Sequence, residues 1–237
     1  MRCNRVAYGD DHPHSEAQPV TPGGSTSREA ARLRAEARRG WWRRILRWCG
    51  INANNRRLEA AAVRQEQGSL GEQQTALLLA RLPAGWTVFH DLAVPGRRFN
   101  LDHVAIPPSG AGVIVLDSKK WRRTWPTALV RGRVHCGPQD RHEQIIKFAG
   151  YVSGTAAALG VPAGMLMPVF VVHGSPVAGD RLDVGVPEWE RTVHVLAADR
   201  LVAVLAGMPG GRGPVQPAAA ALAARVRQTL PQYGSAA

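Results

Sequence analysis

The sequence lacks the features that stabilise small secreted proteins and those that cross membranes. Only three of its 237 residues are cysteines, Cys3, Cys49 and Cys136, and they are widely separated. This argues against a disulfide framework or a structural zinc site. No stretch approaches the roughly 18 continuous apolar residues of a membrane span, and the first residues lack the apolar run of a signal peptide. We therefore expect a soluble, cytoplasmic protein.

Acidic residues are also scarce. The chain has 18 Asp and Glu against 30 Lys and Arg, which gives a formal net charge of +12 and a pI of about 11.0. Such an excess favours a polyanionic partner, either nucleic acid or an anionic membrane surface. Because a GC-rich genome also produces arginine-rich proteins, charge alone suggests the class of partner without establishing it.

The N-terminal quarter of the sequence divides into two parts. Residues 1–27 mix Pro, Gly, Ser and Thr without periodicity, and we expect a disordered tail. Residues 28–57 have the pattern of a basic amphipathic helical extension. The arginines of 28–51 could bind an anionic membrane surface or nucleic-acid phosphates, or the helix could pack on the domain and leave its arginines solvated. Its apolar side is formed by Trp41, Trp42, Ile45, Leu46 and Cys49.

Residues 58–210 have the pattern of one α/β domain, and residues 211–237 that of a C-terminal helix and tail. Helical periodicity ends at Pro83, and a second helix is predicted over 139–160, with a short one over 199–208 capped by Asp199. Alternating or continuous apolar runs predict strands at 86–92, 100–106, 111–119, 127–137, 166–174 and 191–198. This order predicts three layers, with a mixed β-sheet between helices.

The stretch "NLDHVAIPPSGAGVIVLDSKKW", residues 100–121, places charge in two apolar strands. If the strands pair through "PPSG", Asp102 and Asp117 approach each other on one side of the sheet. Two close carboxylates repel unless a cation lies between them, and Mg²⁺ suits such a pair because it prefers oxygen ligands. Lys119, on the same side as Asp117, could orient water and stabilise charge on a phosphate. Alternatively, both acids cap strand ends and the lysine is solvated.

Four short motifs resemble a known family, the NERD (nuclease-related) domain proteins of the PD-(D/E)xK nuclease superfamily. They are "GEQQTALLLARLPAGWTVFHDL" with Gly71 and Glu72, "NLDHVAI" with Asp102 and His103, "GVIVLDSKKW" with Asp117, Lys119 and Trp121, and "HEQIIKFAGYVSG" with Gln144. They occur in the family's order, and the resemblance covers about residues 68–175.

The resemblance implies a fold and a set of roles. The fold would be a restriction-endonuclease-like core, a mixed sheet flanked by helices. Asp102 and Asp117 would bind Mg²⁺ or Mn²⁺, and Lys119 would position the attacking water or stabilise the transition state. Glu72 would be an additional acid near the metal, and Gln144 would support the site from the next helix. Asp117 stands where the family more often has Glu.

Two functions from different classes follow. The first is metal-dependent hydrolysis of DNA phosphodiester bonds, and the alternative is a non-catalytic nucleic-acid-binding or interaction module with the same fold. Lys120, Arg122 and Arg123 follow the central strand, and they either track a phosphate backbone or form a solvated loop. His103 should point away from the acids, as a core histidine.

Overall fold

A computed structural model describes residues 70–187 and 189–233. The two N-terminal segments predicted as a tail and a basic helical extension, including residues 28–51, lie outside the described residues. No helix within the described ranges is long and apolar enough to cross a membrane.

A six-stranded mixed sheet is the centre of the structure. Its strands are β1 (Thr87–Ala93), β2 (Asn100–Ile106), β3 (Val113–Lys120), β7 (Leu166–His173), β8 (Arg181–Val186) and β9 (Trp189–Ala197). They lie in the order β1-β2-β3-β7-β9-β8. Strands β1 to β3 are antiparallel, β3, β7 and β9 are parallel, and β8 is antiparallel to β9. The predicted α/β class with a mixed sheet between helices is therefore confirmed.

Helices cover both faces of this sheet. One face packs against a helix at residues 70–79, named α1, and against α3 (Leu201–Gly207). The other face packs against α2 (His142–Leu159) and α4 (Pro217–Thr229). Helix α2 connects the parallel strands β3 and β7, as a parallel pair requires a crossover. The N-terminus of α2 therefore lies at the end of the sheet where β3 ends.

A second, three-stranded sheet differs from the prediction. The single strand expected over 127–137 is two strands of a hairpin, β4 (Thr127–Val130) and β5 (Arg133–Cys136), which pair with the short β6 (Gln139–Asp140). Arg131 and Gly132 form the turn, with φ of 50° and 76°. The alternation of apolar and polar residues runs through this turn, and it therefore gave no sign of the reversal.

Two other local predictions differ from the structure. Strand β8 was not predicted, although its residues alternate between exposed and buried along its whole length. Asp199 does not cap the helix after β9. That helix begins at Leu201 without a side-chain cap, and Asp199 lies in the preceding 3₁₀ turn.

Candidate active site

The antiparallel pairing of β2 and β3 brings the two predicted aspartates to the same end of the sheet. His103 pairs with Leu116 and Val104 with Val115, and continuing this register places Asp102 opposite Asp117. The backbone N–H of Ser118 donates a hydrogen bond to Oδ2 of Asp102 at 2.9 Å. The predicted hairpin therefore forms, and it ties the first acid to the strand that carries the second.

Lys119 forms an ion pair with this acid cluster. Its Nζ lies 2.7 Å from Oδ2 of Asp117, and it also donates to the carbonyl of Ser118 at 3.3 Å. Burial alone would lower the pKa of Lys119, but the carboxylates of Asp117 and Asp102 outweigh that effect and raise it. The ammonium is therefore kept charged beside the acids.

The environment of Asp102 disfavours its charge. Burial raises its pKa well above the ordinary value, and the charge of Asp117 raises it further. Lys119 opposes this shift, as does the hydrogen bond from the Ser118 amide, while Glu72 adds to the rise. Three carboxylates thus share one ammonium, so that the cluster has an excess of negative charge that a further cation would relieve.

Glu72 belongs to the helix layer on the opposite face of the sheet from Asp117. It is buried on α1, and its charge acts on both Asp102 and Lys119. The helix lies close to the end of β3, since a methyl group placed on Gly71 would come within 3.7 Å of the Lys120 backbone nitrogen. The structure therefore brings together Glu72, Asp102, Asp117 and Lys119, the four charged residues predicted for the catalytic site.

Three hydrogen-bonded side chains beside the acid cluster, Ser118, Thr75 and His173, were not predicted from the sequence, and we call them the buried polar chain. The Ser118 hydroxyl donates to Oγ1 of Thr75 at 2.8 Å, and Oγ1 of Thr75 lies 2.7 Å from Nε2 of His173. All three side chains are buried, and they join α1, β3 and β7. This chain fixes the helix of Glu72 to the strand of Asp117 and Lys119. Because its members are up to 98 residues apart, no local sequence signal could have found it.

His103 lies in the core, as the alternation of β2 predicts. Its side chain is fully buried, and its Nδ1 is 2.8 Å from Nδ1 of His90. Burial lowers the pKa of His103 to about 3, with a further contribution from the neighbouring His90. The ring is therefore neutral at physiological pH.

Gln144 lies in the first turn of α2, where its N–H donates to the carbonyl of Arg141 at 3.0 Å. Phe148, one turn further along the helix, packs on Phe170, the β-sheet partner of Asp117. Gln144 is therefore on the side of the sheet that carries this acid. Its Oε1 is buried without a hydrogen-bond partner among the described residues.

The three cations after the acid cluster are exposed. Lys120 ends β3, and Arg122 and Arg123 follow it at the surface. The Arg122 guanidinium lies 4.4 Å from the centroid of the Trp125 ring, a cation–π contact. These three residues lie at the same end of the sheet as Asp102 and Asp117.

Two cavities of about 470 Å³ show where a ligand could approach. One is at the opposite sheet edge, lined by methionines together with Arg191 and His194, and no carboxylate lines it. The other lies where β7 and β9 end, beside Arg123. Neither of these two cavities is lined by Glu72, Asp102, Asp117 or Lys119.

The residues present fit a magnesium-type ion. Within residues 70–187 and 189–233, no three His, Cys, Asp or Glu side chains converge tightly enough to enclose an ion by themselves. Mg²⁺ does not need such a group, because one or two carboxylates with water complete its shell. Asp102 and Asp117 would supply the carboxylates, and Oε1 of Gln144 is buried without a hydrogen-bond partner on the same side of the sheet as Asp117.

Comparison with known proteins agrees with this geometry. Residues 67–150 match the family model NERD, nuclease-related domain. This range includes the helix of Glu72, both aspartates, Lys119 and Gln144. Searches of curated proteins and of solved structures returned no match. Residues 67–150 are therefore similar to the nuclease-related domain family.

Proposed function

We propose that this domain hydrolyses phosphodiester bonds of DNA with the help of Mg²⁺ or Mn²⁺. The observation that carries the proposal is the pairing of two aspartates on adjacent strands, with the ammonium of Lys119 2.7 Å from one of them. A divalent cation would relieve the repulsion that raises the pKa of Asp102 and would supply Lewis-acid stabilisation of the phosphate.

Each residue then has a defined task. Asp102 and Asp117 hold the cation, with Asp102 oriented by the amide of Ser118. Lys119 orients the attacking water and stabilises the negative charge that develops on the phosphate. Glu72 adds an acid from α1, and Gln144 accepts a hydrogen bond from a water at the site.

The basic residues beside the site would hold the substrate. Lys120, Arg122 and Arg123 can bind phosphates without reading the base sequence. A carboxylate cluster beside a polyanion would weaken binding unless a cation compensates it. The acids therefore favour catalysis over the alternative of a binding module without chemistry.

The direct test is cleavage of linear, circular and single-stranded DNA with Mg²⁺, Mn²⁺ or EDTA. We expect cutting that requires the metal and that Lys119→Ala reduces by about 10²-fold or more, the scale of losing one group that stabilises transition-state charge. Lys147→Ala is the matched control, because this lysine is exposed, its Nζ lies 5.6 Å from the Tyr151 ring centroid, and it forms no ion pair with Asp102 or Asp117 within the described ranges.

The outcomes separate the two functions. Metal-dependent cutting that fails in Lys119→Ala but survives in Lys147→Ala supports the nuclease. Tight, salt-sensitive binding without any cutting would instead assign the domain to the binding modules. RNA of the same sequence, tested in parallel, shows whether the substrate is limited to DNA.

A further inference from the structure

The small sheet between β3 and α2 forms a projecting arm, defined here as residues 122–140. It leaves the main sheet directly after the acid cluster, and the chain returns from it to Arg141, whose guanidinium lies 5.8 Å from the Trp121 ring centroid. Trp121 is two residues from Lys119. The arm therefore begins and ends at the rim of the candidate site.

The base of the arm is rigidly attached. Thr127 is fully buried, its Oγ1 lies 2.6 Å from the Ser175 hydroxyl, and its N–H donates to the Pro176 carbonyl at 2.7 Å. Ser175 also donates to the carbonyl of Trp125 at 2.6 Å. Hydrogen bonds and packing at the base thus hold the arm at a fixed angle to the site.

The tip, in contrast, is exposed on both of its faces. Leu129 and Val130 are neighbours on β4 and must point to opposite faces, yet they are 41% and 46% exposed. The end of β4 and the turn at Arg131 therefore project into solvent, whereas Val134 and Cys136 of β5 are fully buried in the core.

Arg131 occupies an unusual position at this tip. Its φ of 50° lies in the left-handed region, where a two-residue hairpin turn favours Asn or Gly. Such a backbone costs a non-glycine residue about 1–2 kcal/mol, and side chains held this way cluster at functional sites. Arg131 has no ion pair within the described ranges, whereas the nearby Arg133 pairs with Asp140 at 2.6 Å.

The net positive charge of the arm indicates what kind of partner it binds. The arm contains the arginines Arg122, Arg123, Arg131 and Arg133 but only one acid, Asp140. Exposed aliphatic side chains next to an unpaired guanidinium suit the mixed surface of a nucleic acid, in which sugars and base edges lie between phosphates.

We propose that the arm binds duplex DNA beside the scissile bond, with Arg131 on the sugar–phosphate backbone and Leu129 and Val130 against sugars or base edges. This inference rests on the proposed function for the position of the DNA.

The test measures binding apart from cleavage. Fluorescence anisotropy with a labelled duplex in EDTA, over a range of salt concentrations, gives affinity and salt slope. Arg131→Gln should reduce the slope of log K against log salt by about 1, and Arg131→Lys should restore it. Arg81→Gln removes the same charge from the turn that follows the C-terminal end of α1 and should leave the slope unchanged.

A separate variant tests the apolar contact that we propose between Val130 and the DNA. Val130→Thr should weaken binding without changing the salt slope, because it replaces a methyl group by a hydroxyl and removes no charge. Val215→Thr makes the same change at an exposed site outside the arm and should have no effect.

Each result decides one proposal. Salt-dependent binding by the wild type with an unchanged slope in Arg131→Gln would overturn the arm proposal, and cleavage by the same variant would leave the nuclease intact. A reduced slope without cleavage by the wild type would support the arm and refute the nuclease. A wild type that does not bind duplex in any of these buffers would overturn the arm proposal, and only cleavage of single strands could then support the nuclease.

Discussion

Replacing Asp102 by Asn gives a test of the acid cluster that needs no substrate. The change removes one negative charge, keeps the size of the side chain and retains an oxygen for the Ser118 amide. Because burial and Asp117 raise the pKa of Asp102, its charged form destabilises the fold. This group stabilises the protein at low pH, and its contribution is lost as the pH rises through the folded-state pKa. In EDTA at neutral pH, the variant should therefore be at least as stable as the wild type.

Mg²⁺ should reverse this order of stability, so that the wild type becomes more stable than Asp102→Asn. A ligand that binds only the folded state at about 100 times its Kd adds about 2.7 kcal/mol to the free energy of unfolding. For a domain of about 150–250 residues, 1 kcal/mol shifts Tm by roughly 2–4 °C, so Mg²⁺ should raise the Tm of the wild type by about 5–11 °C. Asp102→Asn should lose most of this shift because it removes one of the two carboxylates.

The assay is thermal unfolding, followed by circular dichroism, in EDTA and in saturating Mg²⁺. Asp183→Asn is the matched control, because its carboxylate pairs with Arg181 and His194 on β8 and β9, outside the cluster. That variant should keep the full metal shift. An equal Mg²⁺ shift in Asp102→Asn and the wild type would refute the assignment of Asp102 as a metal ligand.

Two further predictions concern the buried polar chain. Thr75→Val should lower the free energy of unfolding by about 1–3 kcal/mol in urea titrations, since it leaves the buried Ser118 and His173 without their partner. Thr155→Val is the control because its hydroxyl bonds only to its own helix, and an equal loss there would contradict the argument. Burial lowers the pKa of His173 from 6.5 to about 4, so stability should rise with pH across this window by up to about 1.4 kcal/mol per unit. Because the lowered pKa of His103 adds a rise of its own in the same window, His173→Gln should reduce the slope without abolishing it, and an unchanged pH profile would show that the His173 ring does not titrate as inferred.

The local pattern of apolar and polar residues was sufficient to predict much of the fold. Strand β2 has the predicted bounds, residues 100–106, because its apolar run is bordered by "PGRR" and "PPSG". Strand β8 could also have been found from the alternation of Leu182, Val184 and Val186. The hairpin of β4 and β5 could not, since Arg131 is not a residue that usually marks a left-handed turn.

The candidate site was predictable to the extent that it depends on strand alternation. The side-by-side placement of Asp102 and Asp117 follows from one hairpin, and Lys119 follows from its position two residues later. The order of strands in the sheet and the contacts of Thr75 with β3 and β7 depend on packing between segments distant in sequence. Such contacts have no local signature, so that the supporting residues appear only in the folded structure.

The position of the acids on β3 affects how the site could lose its proposed activity. The strand is third of six, between β2 and β7. Its residues 114–116 pair with both neighbours, whereas Asp117 and Lys119 pair with β7 alone. The amides of residues 114–116 should therefore exchange with solvent only when the whole domain unfolds, and those at the end that carries the acids should exchange earlier. Local fraying of this end would disrupt the site while the sheet is still folded, so that thermal inactivation should precede global unfolding.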